Sequence, residues 1–335
     1  MNQVLRGNPL RAVAALNAAA SIDDRDRYVT DSSPLKITGK GRVSSLLEES
    51  IPNEAHPRPT DTVALLNRGK PTGNLWRHTN GNQSIIEKHT TLRDEIRVAK
   101  HLCQLGDRAP QSLIRVFGVA ESPADEAIIL MQYCHRPRGH PALTEKTAAA
   151  LLDCIVEFED ALDGVKLSKR QVRPVSRYRV MLRDWRSVDH GAEIRKELRE
   201  LNESLEGKVR RLHCSGALVQ SHGDVQFSNM ALKKDDEGSI DRLTLFDFGR
   251  SGRWPVGYEF HHFQRNAVLE PEYDAFTDHL LSMYSRRRNV PREILVHNSL
   301  VGAFDFAMSL VNNHFKKGVI RERYLASAIR ALSRL

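Results

Sequence analysis

The chain has little of what would make it a stapled, repetitive or membrane-embedded protein. It carries four cysteines in 335 residues, Cys103, Cys134, Cys154 and Cys214. They are scattered, with no paired spacing for zinc or redox chemistry, and read as reduced thiols rather than a disulfide framework. No uninterrupted apolar run reaches the length of a membrane span, and no internal repeat is visible. Aromatic residues make up 6% of the chain, and none are interleaved with the basic run Arg286-Arg287-Arg288, so a solvated helix end explains that run better than a nucleic-acid surface. Acid is also in deficit. The net charge of +8 attracts anions such as nucleotides and repels polycations.

What is present concentrates near two-thirds of the way along. Ser221-His222-Gly223-Asp224-Val225-Gln226-Phe227-Ser228-Asn229 follows the apolar Ala217-Leu218-Val219. After one strand-like stretch, Leu243-Thr244-Leu245-Phe246 runs into Asp247-Phe248-Gly249. An acid five residues before an amide, then an acid-aromatic-glycine, is the layout phosphoryl transfer needs. The transferring group is positioned and neutralised more than it is attacked by the protein, so hard oxygen ligands for Mg²⁺ are required. Asp224 is the candidate for taking or orienting the proton of an attacking hydroxyl, with Asn229 and Asp247 as candidate metal ligands. His222 and Gly223 read as structural, fixing the loop by side-chain hydrogen bonds and a tight backbone path. Two unrelated polar turns are the bland alternative, since Asp and Asn are common there.

On these motifs the chain resembles the aminoglycoside-phosphotransferase-like (choline-kinase-like) branch of the protein-kinase-like fold, whose form is His-Gly-Asp-x-x-x-x-Asn. Gly252-Arg253-Trp254-Pro255-Val256-Gly257-Tyr258-Glu259-Phe260 is also similar to the Gly-Trp-x-Pro-x-x-x-Glu stretch of many fungal members. Gly252, Pro255 and Glu259 match it, while the tryptophan stands one position off. The resemblance implies an α+β, two-lobed fold with a small β-rich N-lobe and a larger, mainly helical C-lobe. It implies ATP and Mg²⁺ as cofactors and transfer of the γ-phosphate to a small-molecule hydroxyl. The expected organisation is a flexible extension over 1–58, an N-lobe over 59–134 and a C-lobe over 135–335.

The remaining elements are read from pattern and chain order. Thr62–Asn67 and Asn74–His78 are expected strands. The turn Gly69-Lys70-Pro71-Thr72-Gly73-Asn74 between them lies over the phosphates or is a plain hairpin turn; Gly69 and Gly73 would let backbone approach the nucleotide. Gln83–His89 reads as a strand with Lys88 as the phosphate-pairing candidate, against an exposed strand lysine. Leu92–Leu105 has helical periodicity. Its Glu95, with Asp94 next, is the expected partner of Lys88, or else serves the helix dipole. Ala127–Met131 reads as a buried strand leading to a hinge at Gln132-Tyr133-Cys134, whose backbone would hold adenine. Helices are expected over Leu143–Leu162, Ala192–His213, Tyr273–Tyr284, Arg292–Phe315 and Arg321–Leu335, with a hairpin tip at Asp235–Gly238. Acceptor recognition is expected in Val165–Ala192 and beyond Arg265.

Few residues separate Asp247 from Trp254-Pro255, which leaves little room for peptide docking. Small-molecule transfer therefore outranks an atypical Ser/Thr protein kinase or a non-catalytic pseudokinase. The dispersed acids and positive charge disfavour aminoglycosides as acceptors. No nucleic-acid or membrane partner is expected, and oligomeric state stays open. The cytoplasm is the expected location; an Arg- and Ala-bearing first twenty residues without acid also suit a mitochondrial leader.

Overall fold

The β-branched and apolar stretches early in the chain pair into one antiparallel sheet, and everything beyond it is built mainly from helices. A computed structural model describes residues 62–67, 75–80, 83–121, 127–134, 141–188, 190–234, 240–267, 269–316 and 322–335. The expected extension over 1–58, the turn holding Gly69 and Gly73, and the tip at Asp235–Gly238 lie outside them.

Strands β1 (Thr62–Asn67), β2 (Leu75–Asn80), β3 (Gln83–Thr90), β4 (Val116–Glu121) and β5 (Ala127–Gln132) form a sheet in the order β1-β2-β3-β5-β4. Central β3 places Lys88 opposite Leu75 on one side and Ile129 on the other. Ile85, Ile86, Glu87 and Lys88 are all buried, because both faces of the sheet are covered there. Helix α1 (Arg93–Leu105) crosses behind it, burying Ile96, Val98, Ala99 and Leu102. Strand β4 had no clear sequence signal: its VFGVAE pattern is interrupted by Gly118, which sits beside an irregularity in the pairing with β5.

The larger lobe holds α2 (Glu145–Ala161), capped by the Thr144 side chain accepting from the Thr147 amide, a favourable N-terminal arrangement. It continues with α3 (Val175–Arg186) and α4 (Ala192–Lys208), then the short hairpin partners β6 (Leu218–Ser221), β7 (Met230–Lys234), β8 (Ile240–Leu245) and β9 (Gly252–Pro255). Helices α5 (His261–Ala267), α6 (Pro271–Arg288), α7 (Arg292–Phe315) and α8 (Glu322–Arg334) close the lobe. Two apolar clusters result. One runs from the sheet through α1 and α2 to the catalytic loops. The other joins Tyr178, Trp185, Leu201, Phe304 and Leu325 from α3, α4, α7 and α8. Most of the apolar face of α3 is thus spent on packing within the Val165–Ala192 segment.

Two expectations are corrected. Helix α7 is long and apolar enough to cross a membrane by length and composition, with a window of mean hydropathy 1.5, yet 67% of that window is buried inside the protein. Interspersed polar residues such as Asn298 and Asp305 hid this from a search for unbroken apolar runs; they serve internal hydrogen bonds. Arg286 and Arg287 are exposed as expected, but Arg288 turns inward to Glu159 at 2.9 Å and Asp160 at 2.8 Å.

Candidate active site

Lys88 is one of the points at which the lobes meet. Its Nζ donates to Glu95 Oε1 at 2.5 Å and to Asp247 Oδ1 at 2.7 Å, the latter 159 residues away in sequence. Burial alone would lower the Lys88 pKa, but the two carboxylates raise it above the ordinary lysine value. Burial acts against ionised Asp247, and Lys88 holds that carboxyl below its usual range. Asp94, the alternative partner, is engaged elsewhere: it accepts from the Ser168 amide and hydroxyl and from Arg170, each at 3.0 Å. That contact ties α1 to the larger lobe.

Asp247 adopts a left-handed conformation with φ 67°, one a non-glycine residue takes at some cost and that recurs at functional positions. The conformation turns its carboxylate toward Lys88 at the end of β8. The next glycine is also constrained, since a Cβ on Gly249 would stand 3.3 Å from Leu92 and 3.6 Å from Asp247 Oδ1.

The loop that carries Asp224 is held from three directions. His222, fully enclosed, shares a 2.9 Å hydrogen bond with the Phe246 carbonyl, linking the loop to the residue before Asp247. Burial lowers the His222 pKa, so the neutral ring donates. The Gly223 amide donates to both oxygens of Glu259 at 3.1 Å. Gly223 itself has φ +73°, and a Cβ there would meet the Arg250 carbonyl oxygen at 2.4 Å and Trp254 Nε1 at 2.6 Å. Trp254 stacks on Tyr258 at 4.0 Å and donates to the same Arg250 carbonyl. Burial drives Glu259 up to about 8 despite that amide bond.

Asp224 sits at the open edge of this frame. Its Oδ2 accepts from Asn229 Nδ2 at 2.9 Å, and its Oδ1 shares a 2.6 Å hydrogen bond with His262 Nε2. Burial opposes ionisation of Asp224, but the His262 hydrogen bond and the nearby charge of Arg250 keep its pKa low, while burial lowers the His262 pKa in turn. Because the Asn229 amide nitrogen is committed to Asp224, its Oδ1 is the atom left for a cation. Together with the Asp247 carboxylate, this is a hard-oxygen donor set of the kind Mg²⁺ takes. The residues therefore fit the metal that the sequence suggested.

Gln132 is the last residue of β5 and Cys134 follows two residues on. The Gln132 amide donates to the Arg115 carbonyl at 2.9 Å, and both residues line a 480 Å³ cavity with Leu113, Leu232 and Thr244. Neither Lys88 nor Asp224 nor Asp247 lines that cavity. Burial pushes the Cys134 thiol up to about 12, leaving it protonated.

Sequence reading missed His262 and Phe306, and it took Arg265 only as one of the basic residues that disfavour a cationic acceptor. The adjacent histidines in the apolar Tyr258–Phe263 stretch were the available signal for the first. Arg265 and Phe306 are separated in sequence and meet only in the fold, where each of Arg250 and Arg265 lies over the Phe306 ring.

No family model and no curated protein sequence matches the chain. Solved structures do. Spectinomycin phosphotransferase APH(9)-Ia, in complex with ADP and spectinomycin, has a TM-score of 0.54 at 13% identity, over 82% of this chain and 94% of its own. The GDP and kanamycin complex of APH(2")-IIIa has a TM-score of 0.54 at 12% identity, over 87% of this chain and 97% of its own. The chain has the protein-kinase-like fold of the aminoglycoside phosphotransferases.

Proposed function

We propose that the protein is a phosphotransferase that moves the γ-phosphate of ATP to a hydroxyl of a small molecule. The observation that carries this reading is the convergence on Lys88 Nζ of Glu95 and Asp247 from opposite lobes, beside the Asp224–Asn229 pair. Lys88 is an ammonium held between carboxylates, where it is placed to pair with phosphate oxygens. Asn229 and Asp247 would hold Mg²⁺, which neutralises triphosphate charge. Asp224, kept ionised by His262, accepts the acceptor hydroxyl proton as attack proceeds.

A small acceptor is favoured over a peptide by the segment after Asp247. Residues Gly252–Pro255 are paired along β6, and Arg253 is further bonded through its backbone to Ser168 and Arg170 at 2.8 and 2.9 Å. No long activation loop separates the metal-binding acid from this strand. The test is ATP turnover by wild type, Asp224→Asn and Asp247→Asn, with Mg·ATP binding followed by calorimetry. Asp224→Asn should bind nucleotide and lose turnover by about 100-fold or more, whereas Asp247→Asn should lose Mg·ATP binding itself. Wild-type turnover in Asp224→Asn refutes the assignment.

A further inference from the structure

Beside Asp224, two cations gather around one aromatic ring. The guanidinium carbons of Arg250 and Arg265 lie 5.4 and 5.3 Å from the centre of the half-buried Phe306 ring. Arg250 Nη1 stands 4.0 Å from Asp224 Oδ1, beyond hydrogen-bond reach. Arg265 reaches the neutral Asn266 Oδ1 at 3.0 Å, and its buried Nε has no hydrogen-bond partner. Among the described residues it forms no ion pair. Burial lowers the Arg265 pKa and the positive charge of exposed Arg323 adds to that, only partly offset by Tyr324, Asp224 and Glu270.

Like charges gathered in one place repel one another, and that repulsion is relieved when an anion arrives. Guanidinium forks match phosphate and carboxylate geometry, and stacking on a ring holds them in place. We propose that the acceptor carries an anionic group, phosphate or carboxylate, bound by Arg250 and Arg265 against Phe306 with its hydroxyl directed at Asp224. This inference rests on the phosphotransferase reading. The acceptor oxygen forms a bond to the γ-phosphorus, its proton passes to Asp224, and the bond from that phosphorus to the bridging oxygen breaks to release ADP. A polycationic amino sugar would meet Arg250, Arg265 and Arg323 with repulsion.

The test is calorimetric titration of protein saturated with Mg·AMP-PNP, so that added anions do not compete for the nucleotide site. Glycerol 3-phosphate, glycerate, glycerol and kanamycin are the probes; the first two distinguish phosphate from carboxylate. At least one anionic probe should bind 10-fold or more tightly than glycerol. Arg265→Gln should weaken that binding about 10- to 100-fold, and Arg265→Lys, which keeps the charge and guards against a folding defect, by less. Anion binding unchanged in Arg265→Gln, or glycerol or kanamycin binding more tightly than both anions, overturns the inference. Loss of Mg·AMP-PNP binding by wild type would sink the phosphotransferase reading, whereas nucleotide binding without anion binding sinks the anionic acceptor alone.

Discussion

Replacing Lys88 by methionine separates what the lysine does for the fold from what it does for phosphate. The Lys88 side chain is 9% exposed, Glu95 is 1% exposed and Asp247 is 38% exposed. Methionine fills the same volume but leaves Glu95 as a buried carboxylate without its cation. Breaking a buried ion pair from one side costs about 3–5 kcal/mol, while the half-exposed Asp247 is screened by water and adds roughly 0–1 kcal/mol. Lys88→Met should therefore lose about 3–5 kcal/mol in urea unfolding, a large share of the roughly 5–15 kcal/mol typical of a domain. Adding Glu95→Gln removes the stranded charge and should return most of that stability. It cannot return ATP turnover, because no cation is left for the phosphates. If the double variant is as unstable as Lys88→Met alone, uncompensated burial of Glu95 is not the cause. If it turns over ATP like wild type, Lys88 has no phosphate role.

Three further outcomes are expected. Glu259, raised to about 8 when folded against about 4.3 for a free side chain, binds its proton more tightly in the native state; its contribution to stability is present at low pH and is lost as pH rises from about 4.3 toward 8. Urea unfolding across that window should show this slope, and Glu259→Gln should flatten it. Gly223→Ala places a methyl against the Arg250 carbonyl and forces a left-handed alanine, itself a cost of about 1–2 kcal/mol; a drop in unfolding free energy of at least that size, with turnover lost, is the expected result. His262→Ala removes the 2.6 Å partner of Asp224. Its kcat should fall about 10-fold or more and the acid limb of the pH–rate profile should move to higher pH; an unmoved limb with unchanged kcat would show that His262 does not position the base.

The catalytic elements that could be read from the sequence are those held close together along the chain. Asp224 and Asn229 are five residues apart on one loop, and Asp247 follows after a single hairpin, so turn and strand chemistry alone restrict where they can lie. Some helix boundaries were similarly local: α7 spans the expected Arg292–Phe315 and α1 begins within a residue of expectation, whereas α4 ends at Lys208 instead of His213. Choosing Glu95 over Asp94 was a different matter. Adjacent acids on a helix point about 100° apart, and only packing of α1 against the sheet decides that Glu95 meets Lys88 while Asp94 meets Arg170.

The residues that give Asp224 its surroundings depended wholly on tertiary structure. His262, Arg265 and Phe306 come from two helices, α5 and α7, that pack together where His261 and His262 meet Phe306, and nothing in their local sequence records that meeting. The inward turn of Arg288 and the burial of α7 have the same origin. Sequence by itself determined the chemistry available, a proton-accepting acid, an amide and a second acid in order beside strand-forming runs, because those constraints act over a few bonds. Tertiary structure alone decided which charges face one another across the cleft, because long-range packing sets through-space distances that no spacing along the chain specifies.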